Sequence, residues 1–302
     1  MFKIILGFIA ICTIWGSTWL AITWGYESFP PLLGSSIRFL LAALIYIPIL
    51  YIGKDRFPES KNEWKVVTML GVLGFGLAYG MVYIGQQFIP SALASILFTT
   101  YPFWVAIGSF LILKETTFTP LKIAGMILGF TGILLIFGHK LTGFAPDYLF
   151  GMVLIILSAI AQASNLIYIK KWGINLSSSM LNFLGMGIGG LVLLIWSAFT
   201  ETWIVHLTLT GVLATLYLTV VGSVIVFGIY WWLLSKVQAV TLSLSAFLTP
   251  IVAVIVGYFF AGEILGLWVY LGGALAISGI VVYNLSGGTY RRVAENAEKL
   301  KR

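Results

Sequence analysis

Apolar residues fall into ten blocks separated by short polar or Pro/Gly-rich breaks. The blocks lie at about 4–23, 32–51, 66–84, 91–113, 121–138, 149–169, 179–199, 211–234, 241–260 and 264–284. Uncharged runs of this length match the ~20 residues that a helix needs to cross the hydrocarbon of a bilayer. The breaks include Phe29-Pro30-Pro31, Gly53-Lys54-Asp55-Arg56 and Lys114-Glu115-Thr116. Backbone polar groups at membrane depth must be satisfied within the segment, so each block is expected to be a helix. The expected fold is therefore all-α and integral to the membrane, with ten transmembrane helices. The first block follows Lys3 but carries Trp15 and Trp19 and has no Ala-x-Ala-like site, so it reads as a helix that stays in the protein.

The pattern repeats. Pro102, Glu115 and Gly125 return as Pro250, Glu263 and Gly273, each shifted by 148 positions. The same shift pairs Gly74 with Gly222, Gly80 with Gly228, Ser95 with Ser243 and Tyr83 with Trp231. A fixed register half a chain long marks a duplication. It divides the chain into a first five-helix repeat at 1–138, an outer linker at 139–148, a second repeat at 149–285 and a basic tail at 286–302. Five is odd, so the second repeat is expected to enter the membrane from the opposite side. Inverted repeats around a pseudo-twofold axis are a common plan of secondary transporters. Glu115 and Glu263 then fall on opposite faces, each expected to complement the dipole of the helix that follows it.

Charge changes the picture only through its placement. Charged residues are 9% of the chain and hydrophobic residues 60%, which excludes a water-soluble body. With the N-terminus in the cytoplasm, 15 of the 17 Lys and Arg residues fall on the cytoplasmic side. That asymmetry satisfies the positive-inside rule and puts both termini in the cytoplasm, in a cell (inner) membrane. The net charge of +7 is a membrane-topology signal, so no nucleic-acid partner is expected. Cys12 is the one cysteine, and it lies apart from His139 and His206, so no disulfide and no metal site are expected.

Trp15-Gly16-Ser17-Thr18 in the first block, Arg38-Phe39 in the second and the two Pro-x12-Glu units with their following glycines carry a family likeness. Over about 4–285 the chain resembles the EamA-type branch of the drug/metabolite transporter superfamily. That resemblance implies export of small metabolites or amino acids. It also implies that blocks five and ten buttress the bundle while the other eight surround the pathway.

Candidate pathway residues are polar or aromatic side chains inside the blocks. Pro102 and Pro250 lie near the middle of the fourth and ninth blocks, where each removes a backbone hydrogen bond and frees a carbonyl four residues earlier. They are read as hinges. Thr99 accompanies the first proline, and Ser245 and Thr249 the second. Gln162 and Asn165 share one helix face, and burying them in lipid is costly, so they are expected to face the interior. Trp15, Ser17 and Thr18 line the first block, and Tyr79 and Tyr83 the third; Trp231 is in the eighth. Tyr83 and Trp231, near block ends, also suit the headgroup level. Arg38 is the one charge well inside a block, since Lys122 stands at the edge of the fifth. It either snorkels outward toward Glu27 or meets an anionic substrate group.

No Asp or Glu falls well inside a block. That absence disfavours polycationic cargo and an intramembrane carboxylate relay. The favoured reading is a carrier for small neutral, zwitterionic or weakly anionic metabolites, such as amino acids, working by alternating access. No catalytic residue and no cofactor are expected, and the expected partners are a small-molecule substrate and membrane lipids. A lipid-modifying membrane enzyme and a channel are the alternatives. The basic tail is either a solvated topology signal or an amphipathic segment on the anionic inner leaflet.

Overall fold

The computed structural model describes residues 2–114, 119–140, 146–172, 176–237, 242, 245–279 and 281–283. Its regular structure is helical among these residues. Seven helices are long and apolar enough to cross a membrane: α1 Phe2–Gly25, α2 Pro31–Gly53, α3 Lys61–Gly85, α4 Ser91–Leu113, α6 Pro146–Trp172, α7 Ser178–Thr200 and α8 Leu209–Leu234. Three apolar helices are shorter: α5 Pro120–Ile136, α9 Ser245–Ala261 and α10 Leu267–Tyr283. Each overlaps one of the ten expected blocks. Glu115, Ser243 and the tail lie outside the described residues.

The helix ends follow from local chemistry. Ser60 opens α3 with a reciprocal capping box to Glu63. Ser177 and Thr208 cap α7 and α8 through their side-chain oxygens. By contrast α2 and α4 start immediately after prolines, Pro30 and Pro90, and have no side-chain cap of their own. Their first N–H groups are met from far along the chain. The Glu201 carboxylate accepts from Leu32 N at 2.7 Å and Leu33 N at 3.0 Å. The Glu263 carboxylate accepts from Ser91 N and Ala92 N, both at 3.0 Å. Glu263 therefore caps α4 in the first repeat, not the helix that follows it. An orphan N–H pair attracts any carboxylate that the fold brings near.

Pro102 is also placed differently from expectation. The α4 helix is interrupted at Thr99 and Thr100, and Pro102 falls in the first turn of the segment that restarts at Tyr101. Proline there loses no intrahelical bond, because a first-turn N–H has no acceptor anyway. Pro250 does lie inside a helix. Wide π-turns occupy Leu70–Ala78 of α3 and Val220–Ile225 of α8, around the repeat-related glycines Gly74 and Gly222.

The packing is paired across the repeats. Helix α1 lies on α9 and α6 on α4; α3 lies on α6 and α8 on α1. Helices α2 and α7 meet directly and run antiparallel. Ser36 Oγ donates to Gly190 O at 2.9 Å near one end, and Asn182 Nδ2 to Tyr46 Oη at 2.8 Å near the other. Helices α5 and α10 are antiparallel too, backbone against backbone. A Cβ on Gly125 would strike Gly279 O and one on Gly132 would strike Gly272 O. Small residues permit that close approach where lipid tails offer no hydrophobic drive.

Candidate substrate cavity

Seven helices from both halves enclose a cavity of about 130 Å³. A cavity needs roughly 10–15 Å³ to hold one water, so this one has room for a small solute with its hydration. Nine aromatic residues contribute to the wall. Trp15 packs edge-on against Phe227 at 5.5 Å and tilted against Tyr230 at 5.4 Å. Phe98 stacks on Tyr101 at 5.7 Å and meets Trp19 at 5.6 Å. Phe75, Tyr79 and Trp231 complete the aromatic lining.

Two residues bridge the π-turns. Gln162 Nε2 donates to Gly74 O at 3.1 Å. Arg38 Nη2 donates to Gly222 O at 2.7 Å, and its Nε to Ser223 Oγ at 2.9 Å. A π-turn shifts the backbone ladder by one residue, which leaves carbonyls free for such side chains. Gly74 is also needed sterically, because a Cβ there would lie 2.5 Å from Asn165 Nδ2.

Arg38 does not snorkel. It is 1% exposed, and Glu27, its expected partner, instead accepts from Thr208 Oγ1 at 3.4 Å. The remaining Arg38 contacts are a long bond from Nη1 to Tyr83 Oη at 3.4 Å and the ring faces of Phe39 and Tyr79, 4.9 and 5.2 Å away. All these partners are uncharged. Among the described residues no carboxylate lines the cavity.

The cavity wall includes nine of the sequence candidates: Trp15, Thr18, Arg38, Tyr79, Gln162, Asn165, Trp231, Ser245 and Thr249. Several hydroxyls are turned back on their own helices. Thr18 donates to Trp15 O, Ser245 to Leu242 O and Thr249 to Ser245 O. Three atoms of the lining are buried without a partner: Trp15 Nε1, Ser95 Oγ and Asn165 Oδ1.

Other candidates stand off the wall. Ser17 bonds Tyr217 Oη at 2.6 Å, and Thr99 donates to Ile96 O. Pro102 and Pro250 are buried outside the lining. Tyr83 is 2% exposed, and its hydroxyl accepts the long bond from Arg38 Nη1. Trp231 is buried too, and its Nε1 donates to Asn182 Oδ1 at 2.7 Å.

Sequence reasoning missed Ser223, Phe227 and the long-range cap Glu201. Ser223 had a usable signal, since it follows Gly222, the repeat partner of Gly74. Among the described residues no three His, Cys, Asp or Glu side chains cluster as a metal site.

A multi-helix apolar bundle around a ring-lined cavity with polar fixtures is the architecture of a membrane carrier. Comparison with known proteins agrees. The EamA-like transporter family model matches this chain twice, over residues 2–138 and 149–285. The chain belongs to the EamA-like transporter family and is a multi-pass membrane transporter. It is 28% identical to the uncharacterized transporter YoaV of Bacillus subtilis over 286 residues, 93% of this chain and 96% of that protein. Protein PecM of Dickeya dadantii is 31% identical over 255 residues, 84% of this chain and 82% of that protein. The uncharacterized inner membrane transporter YedA of Escherichia coli is 30% identical over 269 residues, 87% of this chain and 85% of that protein. A solved crystal structure superposes with a TM-score of 0.68 at 17% identity, covering 95% of this chain and 97% of that one, and so shares the fold.

Proposed function

We propose that this protein is a secondary carrier of the inner membrane that exports small neutral, zwitterionic or weakly anionic metabolites, such as amino acids, by alternating access. In this reading all ten helices cross the membrane, both termini are cytoplasmic and the two five-helix halves are inverted. The observation that carries it is the seam. The cavity is bounded by α1–α4 of one half and α6, α8 and α9 of the other. The antiparallel α2–α7 and α5–α10 contacts support inversion, because a twofold axis in the membrane plane makes related helices antiparallel.

The bonds that tie the halves together at one end of the bundle support a gate. Glu201 holds the start of α2, Glu263 holds the start of α4, and Thr208 N donates to Ser28 Oγ at 3.0 Å. All three link first-half to second-half residues. On the positive-inside orientation they lie on the outer face. The conformer is then sealed to the outside, and export requires these links to break while links on the cytoplasmic face form. Carrier behaviour is tested in proteoliposomes loaded with candidate metabolites. Saturable flux with accelerated exchange in the presence of the same solute outside is expected. Fast, non-saturating flux would mark a channel instead. Strict dependence on an imposed pH gradient would contradict a substrate gradient as the driving force.

A further inference from the structure

We infer that Arg38 is the anion-recognition point of the cavity, and that the transported molecule presents a carboxylate attached to an apolar or aromatic body. This rests on the reading of the cavity as the transport site, and narrows its substrate class.

The first observation is an unbalanced charge. Arg38 is 1% exposed and lines the cavity, yet its bonds end on a carbonyl and two hydroxyl oxygens. A buried cation is costly unless a counter-charge or a full set of acceptors offsets its lost hydration. Neutral dipoles hold it here, and among the described residues no Asp or Glu lines the same wall. The missing counter-charge is what a substrate can bring.

The second observation is donor capacity. A guanidinium has five N–H groups, and three bonds are made to the protein. Two donors remain, one on each terminal nitrogen, and the Tyr83 bond is long at 3.4 Å. Paired N–H groups suit a planar carboxylate better than a single point contact does. A separate donor without a partner among the described residues, Trp15 Nε1, lines the same cavity.

The third observation is the remaining wall. Trp19, Phe98 and Phe227 bring aromatic rings to it, and Ile22, Leu70, Val82, Leu166 and Ile169 bring aliphatic side chains. Such surface favours a flat or apolar body and disfavours a polyhydroxylated one, whose hydroxyls would lose water without replacement. Burial of the carboxylate in this low-dielectric wall strengthens its attraction to Arg38.

Arg38 also ties α2 of one half to the π-turn of α8 in the other through Gly222 O and Ser223 Oγ. A carboxylate on its two remaining N–H groups therefore binds at the seam between the halves.

The test compares binding of 3-phenylpropanoate with that of its neutral isostere 3-phenylpropanamide to the purified full-length protein. Tryptophan fluorescence is a direct readout, because Trp15, Trp19 and Trp231 line the cavity. The carboxylate is expected to bind roughly tenfold or more tightly than the amide, about 1.4 kcal/mol. Arg38→Gln is expected to remove that preference, and Arg38→Lys to retain part of it. The wild-type comparison stands even if Arg38→Gln fails to fold. Equal binding of the two ligands, or tighter binding of the amide, would overturn the inference while leaving a carrier that shows saturable flux intact. Arg38-dependent carboxylate binding without any carboxylate flux would instead sink the carrier reading alone.

Discussion

The Glu263 carboxylate sits on the backbone N–H of Ser91 at 3.0 Å, across 172 residues of chain, and does for α4 what Glu201 does for α2. Both caps come from the second half of the sequence and serve helices of the first. Each supplies two charge-assisted bonds to a helix start that its own sequence leaves bare after proline.

Glu263→Gln keeps the shape but removes the charge. An amide offers one carbonyl where the carboxylate offers two acceptors, so one N–H is left unmet. The expected loss is about 1–2 kcal/mol of stability, read as a lower melting temperature in detergent. Glu201→Gln should behave alike, and the two losses should nearly add, because the caps serve separate helices. In the gate reading both variants also raise the labelling, by outside thiol reagents, of a cysteine introduced on the cavity wall as Thr249→Cys in a Cys12→Ala background.

Lys114 and Gly262 end α4 and α9 in the left-handed region, with φ of 56° and 63°, and they are 148 positions apart. A Cβ in that conformation costs roughly 1 kcal/mol. Lys114→Gly is therefore expected to stabilise the protein by up to about that amount, and Gly262→Ala to destabilise it similarly. No atom lies within 4 Å of a Cβ at Gly262, so the penalty there is purely conformational. Opposite shifts in melting temperature check the pair.

Helices α5 and α10 depend on absent side chains. A Cβ at Gly279 would collide with the backbone of Gly125 and Gly129. Gly279→Leu should cost several kcal/mol, on the scale of severe overpacking. Gly266→Ala meets nothing within 4 Å and should be close to neutral. Comparison of the two melting temperatures separates close packing from the general effect of adding a side chain at a glycine.

Trp231 closes a buried chain that runs through Asn182 to Tyr46 and on to Val224 O. Trp231→Phe leaves Asn182 Oδ1 without its donor and is expected to cost about 1–3 kcal/mol. Asn182→Leu in the same background should recover part of that loss, because it removes the orphaned group. A double-mutant cycle in melting temperature measures the coupling.

Much of this structure was readable in advance because it follows from periodicity. The block at 32–51 became Pro31–Gly53, and the one at 91–113 became Ser91–Leu113. Glutamine and asparagine at 162 and 165 face the cavity for the reason that placed them there, the cost of turning them to lipid. What escaped depends on long-range geometry. A π-turn keeps the same residue types as an α-turn, so nothing at Gly74 or Gly222 announces it. The partner of Arg38 was sought eleven residues away at Glu27 and found 184 away at Gly222. Serine and threonine hydroxyls can turn back onto their own helix. Ser17 and Thr99 do so away from the cavity and Thr18 does so on its wall, a choice invisible in composition.

The inverted relation of the two halves is tested most directly by labelling. Cys12 is the one native cysteine, so a Cys12→Ala background is silent. Into it go Glu115→Cys and Glu263→Cys, one at a time, in intact cells treated with a membrane-impermeant thiol reagent. Labelling of position 263 in intact cells, and of position 115 only after the membrane is opened, is the expected result. Labelling of both positions from the same side would contradict the account.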